Sequence, residues 1–194
     1  LRGPRRLRGA ALLGGGALFF FAACAGLGGP GPEAAARGGF VPPRGAAVVL
    51  RVPFLPQEEE TCGPSSLAMV LRWLGSDTAV SDLVRETRTE GLRGTLVTDL
   101  AAAARRRGFE AEVEALDLAR LAERIRSGTP VILLVDLGAW VYSRPHFLVA
   151  YGVTPGGIVA HSGRTPEAVI PYDTLDRRWA KMGRLSLTVT RARP

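Results

Sequence analysis

Cys62 and His146 are the residues whose types and settings point most directly to chemistry. Acyl transfer by a thiol needs a thiolate, and a free cysteine supplies only a few per cent of it at neutral pH. Cys62 stands where an apolar period begins, followed by Gly63 and then Pro64. Glycine allows close backbone approach, and proline suits a first helical turn because its missing N–H is not needed there. A thiol at a helix N-terminus is expected to have a lowered pKa. A small buried hydrophobe is the other reading of a lone cysteine. His146 opens the apolar run Phe147-Leu148-Val149-Ala150-Tyr151, where an imidazole is costly without a partner. It reads as the base for the thiol or as a core histidine bonded to a carbonyl. Gln57 lies five residues before Cys62, close enough for its amide N–H to join the Cys62 backbone N–H in an oxyanion hole. The run Glu58-Glu59-Glu60 between them would raise the thiol pKa unless it faces solvent.

These residues need elements to hold them. Val48 to Val52 is β-branched and reads as a strand ending at Pro53, followed by a loop from Phe54 to Thr61. Leu67, Val70, Leu71 and Leu74 recur at helical spacing until Gly75, which predicts a helix from Cys62 with one buried face. Further helices are expected at 79–87, 96–107, 118–127 and 173–181. Strands are expected at 109–115, 131–135, 146–153, 158–161 and 185–190, with Thr154-Pro155-Gly156-Gly157 as a hairpin turn. Helices first and an antiparallel sheet second make an α+β fold.

Gln57, the block Cys62-Gly63-Pro64-Ser65-Ser66-Leu67-Ala68-Met69-Val70-Leu71 and the block His146-Phe147-Leu148-Val149-Ala150-Tyr151-Gly152-Val153 resemble the bacteriocin-processing, double-glycine type of papain-like cysteine peptidase. The resemblance implies a papain-like fold with an N-terminal helical half and a C-terminal antiparallel sheet. It also implies Gln57 for the oxyanion hole, Cys62 as nucleophile, and His146 as general base and then acid. The family places an Asp or Asn one hairpin beyond the histidine, whereas the register here puts Ser162 there, within Ala160-His161-Ser162-Gly163. A serine hydroxyl can orient the imidazole but does not stabilise an imidazolium as a carboxylate does. His161 points to the opposite face of a regular strand. Asp136, at the end of the 131–135 strand, is a remote alternative.

The N-terminus reads as an address. Arginines at 2, 5, 6 and 8 precede an apolar stretch ending at Ala22-Ala23-Cys24, too short to span a bilayer and weakened by Gly14-Gly15-Gly16. Phe21-Ala22-Ala23-Cys24 resembles a lipobox, with Phe21 where leucine is usual. This implies a lipoprotein signal peptide at residues 1–23, lipidation of Cys24, and attachment to the bacterial cell envelope through the N-terminal lipid. Residues 24–46 are rich in Gly, Pro and Ala and read as a flexible tether, leaving 47–194 as the catalytic domain.

The formal net charge of +7 falls to +3 without the four arginines of residues 1–23, and no basic stripe interleaved with aromatics suggests nucleic acid. Neither metal-ligand spacing nor a nucleotide-binding glycine loop is visible, so no cofactor is expected. The expected protein is a monomer acting on a peptide or protein, cleaving a peptide or isopeptide bond through a Cys62 acyl-enzyme. A catalytically weak peptide-binding domain and an acyl or γ-glutamyl transferase are the alternatives.

Overall fold

The computed structural model describes residues 40–192 apart from 90, 92, 93 and 140. The expected signal segment at 1–23, Cys24 and the tether as far as residue 39 lie outside the described residues. A short turn of 3-10 helix, Glu59–Thr61, leads into α1 (Cys62–Trp73), then α2 (Val80–Thr87) and α3 (Val97–Arg106). These follow a two-residue strand β1 (Val48–Val49) and precede β2 (Phe109–Ala115), α4 (Leu118–Arg126) and β3 (Val131–Asp136). The chain continues with β4 (Pro145–Thr154), β5 (Gly157–Ser162), β6 (Thr165–Ile170), α5 (Tyr172–Ala180) and β7 (Leu185–Arg191). No helix among the described residues is long and apolar enough to cross a membrane.

The strands form one antiparallel sheet in the order β2-β7-β3-β4-β5-β6, with β1 added to β4. Helices cover both faces, so the helical and strand-rich halves of the sequence do not stay apart in space. Period-two alternation sorts the side chains. Phe147, Val149 and Tyr151 of β4 join α1 and α3 in one core, whereas Leu148 and Ala150 join α4 and α5 in the other. A bulge in the β4–β5 register between Ala150 and Gly152 lets Val153 return to the second core, because one extra residue reverses the alternation. Phe40, within the expected tether, is also buried in that core, its ring centroid 4.9 Å from that of Tyr172.

α1 is the central helix, buried from Gly63 to Leu71. Its first turn presses on β4: a Cβ at Gly63 would lie 3.1 Å from the Phe147 ring and 3.2 Å from Leu100. Glycine after Cys62 is what lets the thiol's end of the helix approach the strand. At the other end the Arg191 guanidinium of β7 donates to the Leu74 carbonyl at 2.7 and 3.1 Å, satisfying an orphan acceptor of the last turn.

Candidate active site

Two elements deliver the expected residues to one place: the N-terminus of α1 and the first residues of β4. β5 pairs with β4 only from Val149 onward, so the peptide groups of Phe147 are left for other partners. The Phe147 N–H lies close enough to the Cys62 sulfur to favour its thiolate, and the Phe147 carbonyl accepts from Gln57 Nε2 at 3.3 Å. Cys62, a free thiol, therefore lies one peptide unit from His146. The His146 ring is oriented from behind by Ser162, with Nε2 3.1 Å from Oγ. A bond that uses Nε2–H as donor leaves Nδ1 with the lone pair a general base needs.

The electrostatics differ from the sequence expectation. Burial pushes the Cys62 thiol above its ordinary value and outweighs the N–H groups of Phe147, Gly63 and Cys62 itself and the nearby positive charge of Arg144. The helix N-terminus is present, but desolvation of the thiolate is the larger effect. Burial, reinforced by the charge of Arg144, pulls the His146 imidazole from 6.5 down to about 4. Both shifts favour the neutral form, a thiol at Cys62 and an uncharged imidazole at His146. Glu58 does not press on the thiol, because its carboxylate faces outward, where both oxygens accept from Arg164 Nη2 at 2.8 and 2.9 Å.

The other candidates are each held by hydrogen bonds of their own. Gln57 is 4 % exposed and its backbone N–H donates to Gly163 O at 2.9 Å. Its side-chain oxygen accepts from the Gly163 N–H, and Nε2 donates to Ser66 Oγ at 2.7 Å and to Cys62 O at 3.2 Å. His161 is a core histidine: Nε2–H donates to Val52 O at 3.0 Å, while Nδ1 accepts from the Glu167 N–H at 3.3 Å and faces Tyr151 OH at 3.4 Å. Asp136 accepts at Oδ1 from the N–H groups of Gly138 at 2.7 Å and Arg144 at 2.8 Å. Those donors, with Lys181 3.7 Å away, hold its carboxyl below the usual carboxylate range. It closes the loop leading to His146 and makes no bond to the imidazole among the described residues. Sequence reading missed Ser66, four residues after Cys62 and on the same helix face, although a fully buried serine within an apolar stripe was the available signal.

Two clefts meet at Pro145. One, of about 500 Å³, is lined by His146, Gln57, Arg144, Arg164, Glu58 and Tyr142. The other, of about 520 Å³, reaches Cys62 and is walled by Leu96, Val97, Leu134, Phe147, Met182 and Leu185. Among the described residues no group of three His, Cys, Asp or Glu side chains is placed to hold a metal ion.

Solved structures with a similar fold include peptidase domains. The peptidase domain of Streptococcus ComA, a bi-functional ABC transporter involved in a quorum-sensing pathway, matches with a TM-score of 0.63 at 21 % identity, over 73 % of this chain and all of that one (100 %). A C39-like peptidase from Bacillus anthracis matches with a TM-score of 0.62 at 17 % identity, over 77 % of this chain and 100 % of that one. A double glycine motif protease from an AMS/PCAT transporter, solved with its leader peptide, gives 0.58 at 21 % identity, over 74 % and 94 % of the two chains. These show a shared papain-like fold. No curated protein sequence matches the chain. The model of the Peptidase C39 family matches residues 52–191, most of the chain, and the protein belongs to that family.

Proposed function

We propose that the chain is an envelope-anchored cysteine peptidase that cleaves a peptide or isopeptide bond through a Cys62 thioester. The observation that carries this reading is the placement of the Cys62 sulfur near the N–H of Phe147, the residue that follows His146, whose Nε2 lies 3.1 Å from Ser162 Oγ. The sulfur attacks the substrate carbonyl while its proton passes to His146 Nδ1, and the oxyanion is held by backbone N–H groups and Gln57. Collapse breaks the C–N bond, and His146 returns the proton to the leaving amine. Water, deprotonated by His146, then hydrolyses the thioester and restores the thiol. Because His146 must reach the leaving amine, the amine side of the substrate belongs in the polar cleft, and the acyl side in the apolar cleft beside Cys62. A neutral resting pair makes His146 a base acting during attack rather than half of a preformed ion pair.

Lipidation of Cys24 would hold this domain at a membrane surface; metabolic labelling with a fatty-acid analogue tests it, and label that survives Cys24→Ala removes the anchor. Trapping with a thiol-reactive peptide probe tests the peptidase. Wild type is expected to label at Cys62 and to turn over peptides, and Cys62→Ala to do neither. Ser162, rather than a carboxylate, at His146 Nε2 among the described residues favours a second reading, a peptide-binding domain. Saturable peptide binding with no thioester intermediate would decide for it.

A further inference from the structure

The amide of Gln57 has two hydrogens and three acceptors, and the distances separate them. Ser66 Oγ is at 2.7 Å, whereas Cys62 O and Phe147 O are at 3.2 and 3.3 Å. The short bond fixes one hydrogen, and the other is shared between two distant carbonyls. The other side of the amide is keyed as well, since its oxygen accepts the Gly163 N–H. A flipped amide would set its oxygen against two carbonyl oxygens and its NH2 against an N–H, so the backbone admits one orientation. Ser66 is fully buried and lies one helical turn from Cys62, so its hydroxyl and the nucleophile are carried by the same rigid element.

We infer that Ser66 is a positioning residue for acyl transfer: it anchors one N–H of Gln57 so that the other is presented at the nucleophile, ready to exchange its two long carbonyl contacts for the oxyanion. The exchange is favourable because a bond to an anionic oxygen is roughly twice as strong as one to a neutral carbonyl. No covalent change at Ser66 is involved. The inference rests on the acyl-transfer reading above, and the experiment keeps the two apart.

The test uses the full chain and reads alkylation of Cys62 by iodoacetamide on its own peptide, by mass spectrometry, with and without acetyl-glycyl-glycinal. The aldehyde forms a hemithioacetal whose oxygen occupies the oxyanion position, whereas alkylation builds no oxyanion. Ser66→Ala is expected to weaken protection by the aldehyde about tenfold, a fraction of the 10²–10³ that a lost donor costs, with the alkylation rate in its absence unchanged. Ser66→Thr, which keeps the hydroxyl, should restore protection, and Ser66→Ala should add nothing to Gln57→Ala. Wild-type protection in Ser66→Ala, or equal losses of protection and alkylation, would overturn the inference. If the wild-type thiol alkylates but the aldehyde never protects it, the acyl-transfer reading fails. The side-chain amide resonances of Gln57 in 1H–15N spectra then decide the role of Ser66: a shift in Ser66→Ala upholds the anchoring, and no change refutes it.

Discussion

The two imidazoles sit on neighbouring strands and are treated in opposite ways. His161, near the end of β5, is 3 % exposed and finds partners in Val52, Tyr151 and Glu167, with Phe54 and Tyr151 against its faces. Every nitrogen has an assigned task, so no lone pair remains for a reaction. His146, at the start of β4, lines a cleft and among the described residues bonds through Nε2 to Ser162. The contrast teaches that burial lowers both pKa values and does not tell a base from a structural histidine. What distinguishes them is that both nitrogens of His161 have partners, whereas His146 lines a cleft.

That contrast breaks if the two histidines respond alike to substitution. His146→Ala is expected to lower peptidase turnover by about 10²–10⁴, the usual contribution of a positioned general base, with little change in melting temperature. His161→Ala should do the reverse. It strands the Val52 carbonyl and the Glu167 N–H and opens a cavity between Phe54 and Tyr151, for a loss of about 3–5 kcal/mol in stability. Turnover per folded molecule should be retained. Denaturation in urea alongside single-turnover rates checks both.

Acid sharpens the comparison further. The folded protein holds His146 near 4 against 6.5 when exposed, so the unfolded chain binds the extra proton first. The stabilisation is complete above pH 6.5, falls as pH drops from 6.5 to 4, and is lost below that. At about 1.4 kcal/mol per pKa unit the change is about 3–4 kcal/mol. His161 adds a slope of the same sign, since its pKa is also lowered. The difference between wild type and His146→Phe isolates the first; curves of equal slope would show that His146 is not desolvated.

Sequence patterns revealed these elements where local spacing carries the information. The helix from Cys62 was legible because Leu67, Val70, Leu71 and Leu74 must share a face. β6 was not, because Thr165–Ile170 is an edge strand, mostly exposed, with Pro166 and a positive φ at Glu167, and it lacks a buried face to print an alternation. The insertion of β7 between β2 and β3 joins residues far apart in the chain, which no local pattern reports. At the site, residue types and order singled out Cys62 and His146 as candidates, and the hairpin register singled out Ser162, which the structure places 3.1 Å from His146 Nε2. The raised thiol pKa and the saturated Gln57 amide were not foreseen, because desolvation and three-way hydrogen bonding depend on how α1, β4 and the Gly163 turn close together.

The smallest effect expected, and the most discriminating for the chemistry, is at Ser162. Its hydroxyl bonds His146 Nε2 at 3.1 Å and carries no charge, so it orients the ring without stabilising the imidazolium that forms when the Cys62 proton is transferred. Ser162→Ala should slow turnover only a few-fold, in line with the loss of one neutral hydrogen bond of about 1 kcal/mol. Ser162→Asp places a carboxylate where that hydroxyl is. An anion at hydrogen-bond distance favours the protonated ring and opposes both causes that now depress it, burial and the charge of Arg144. The imidazole pKa should rise from about 4 toward its ordinary value, and the acid limb of the pH–rate profile should move up with it. Turnover near neutral pH should increase, because the ion pair formed during attack becomes less costly. NMR titration of the His146 ring protons, together with the pH–rate profile, measures both changes. A ring that still titrates near 4 in Ser162→Asp would mean that position 162 does not govern His146.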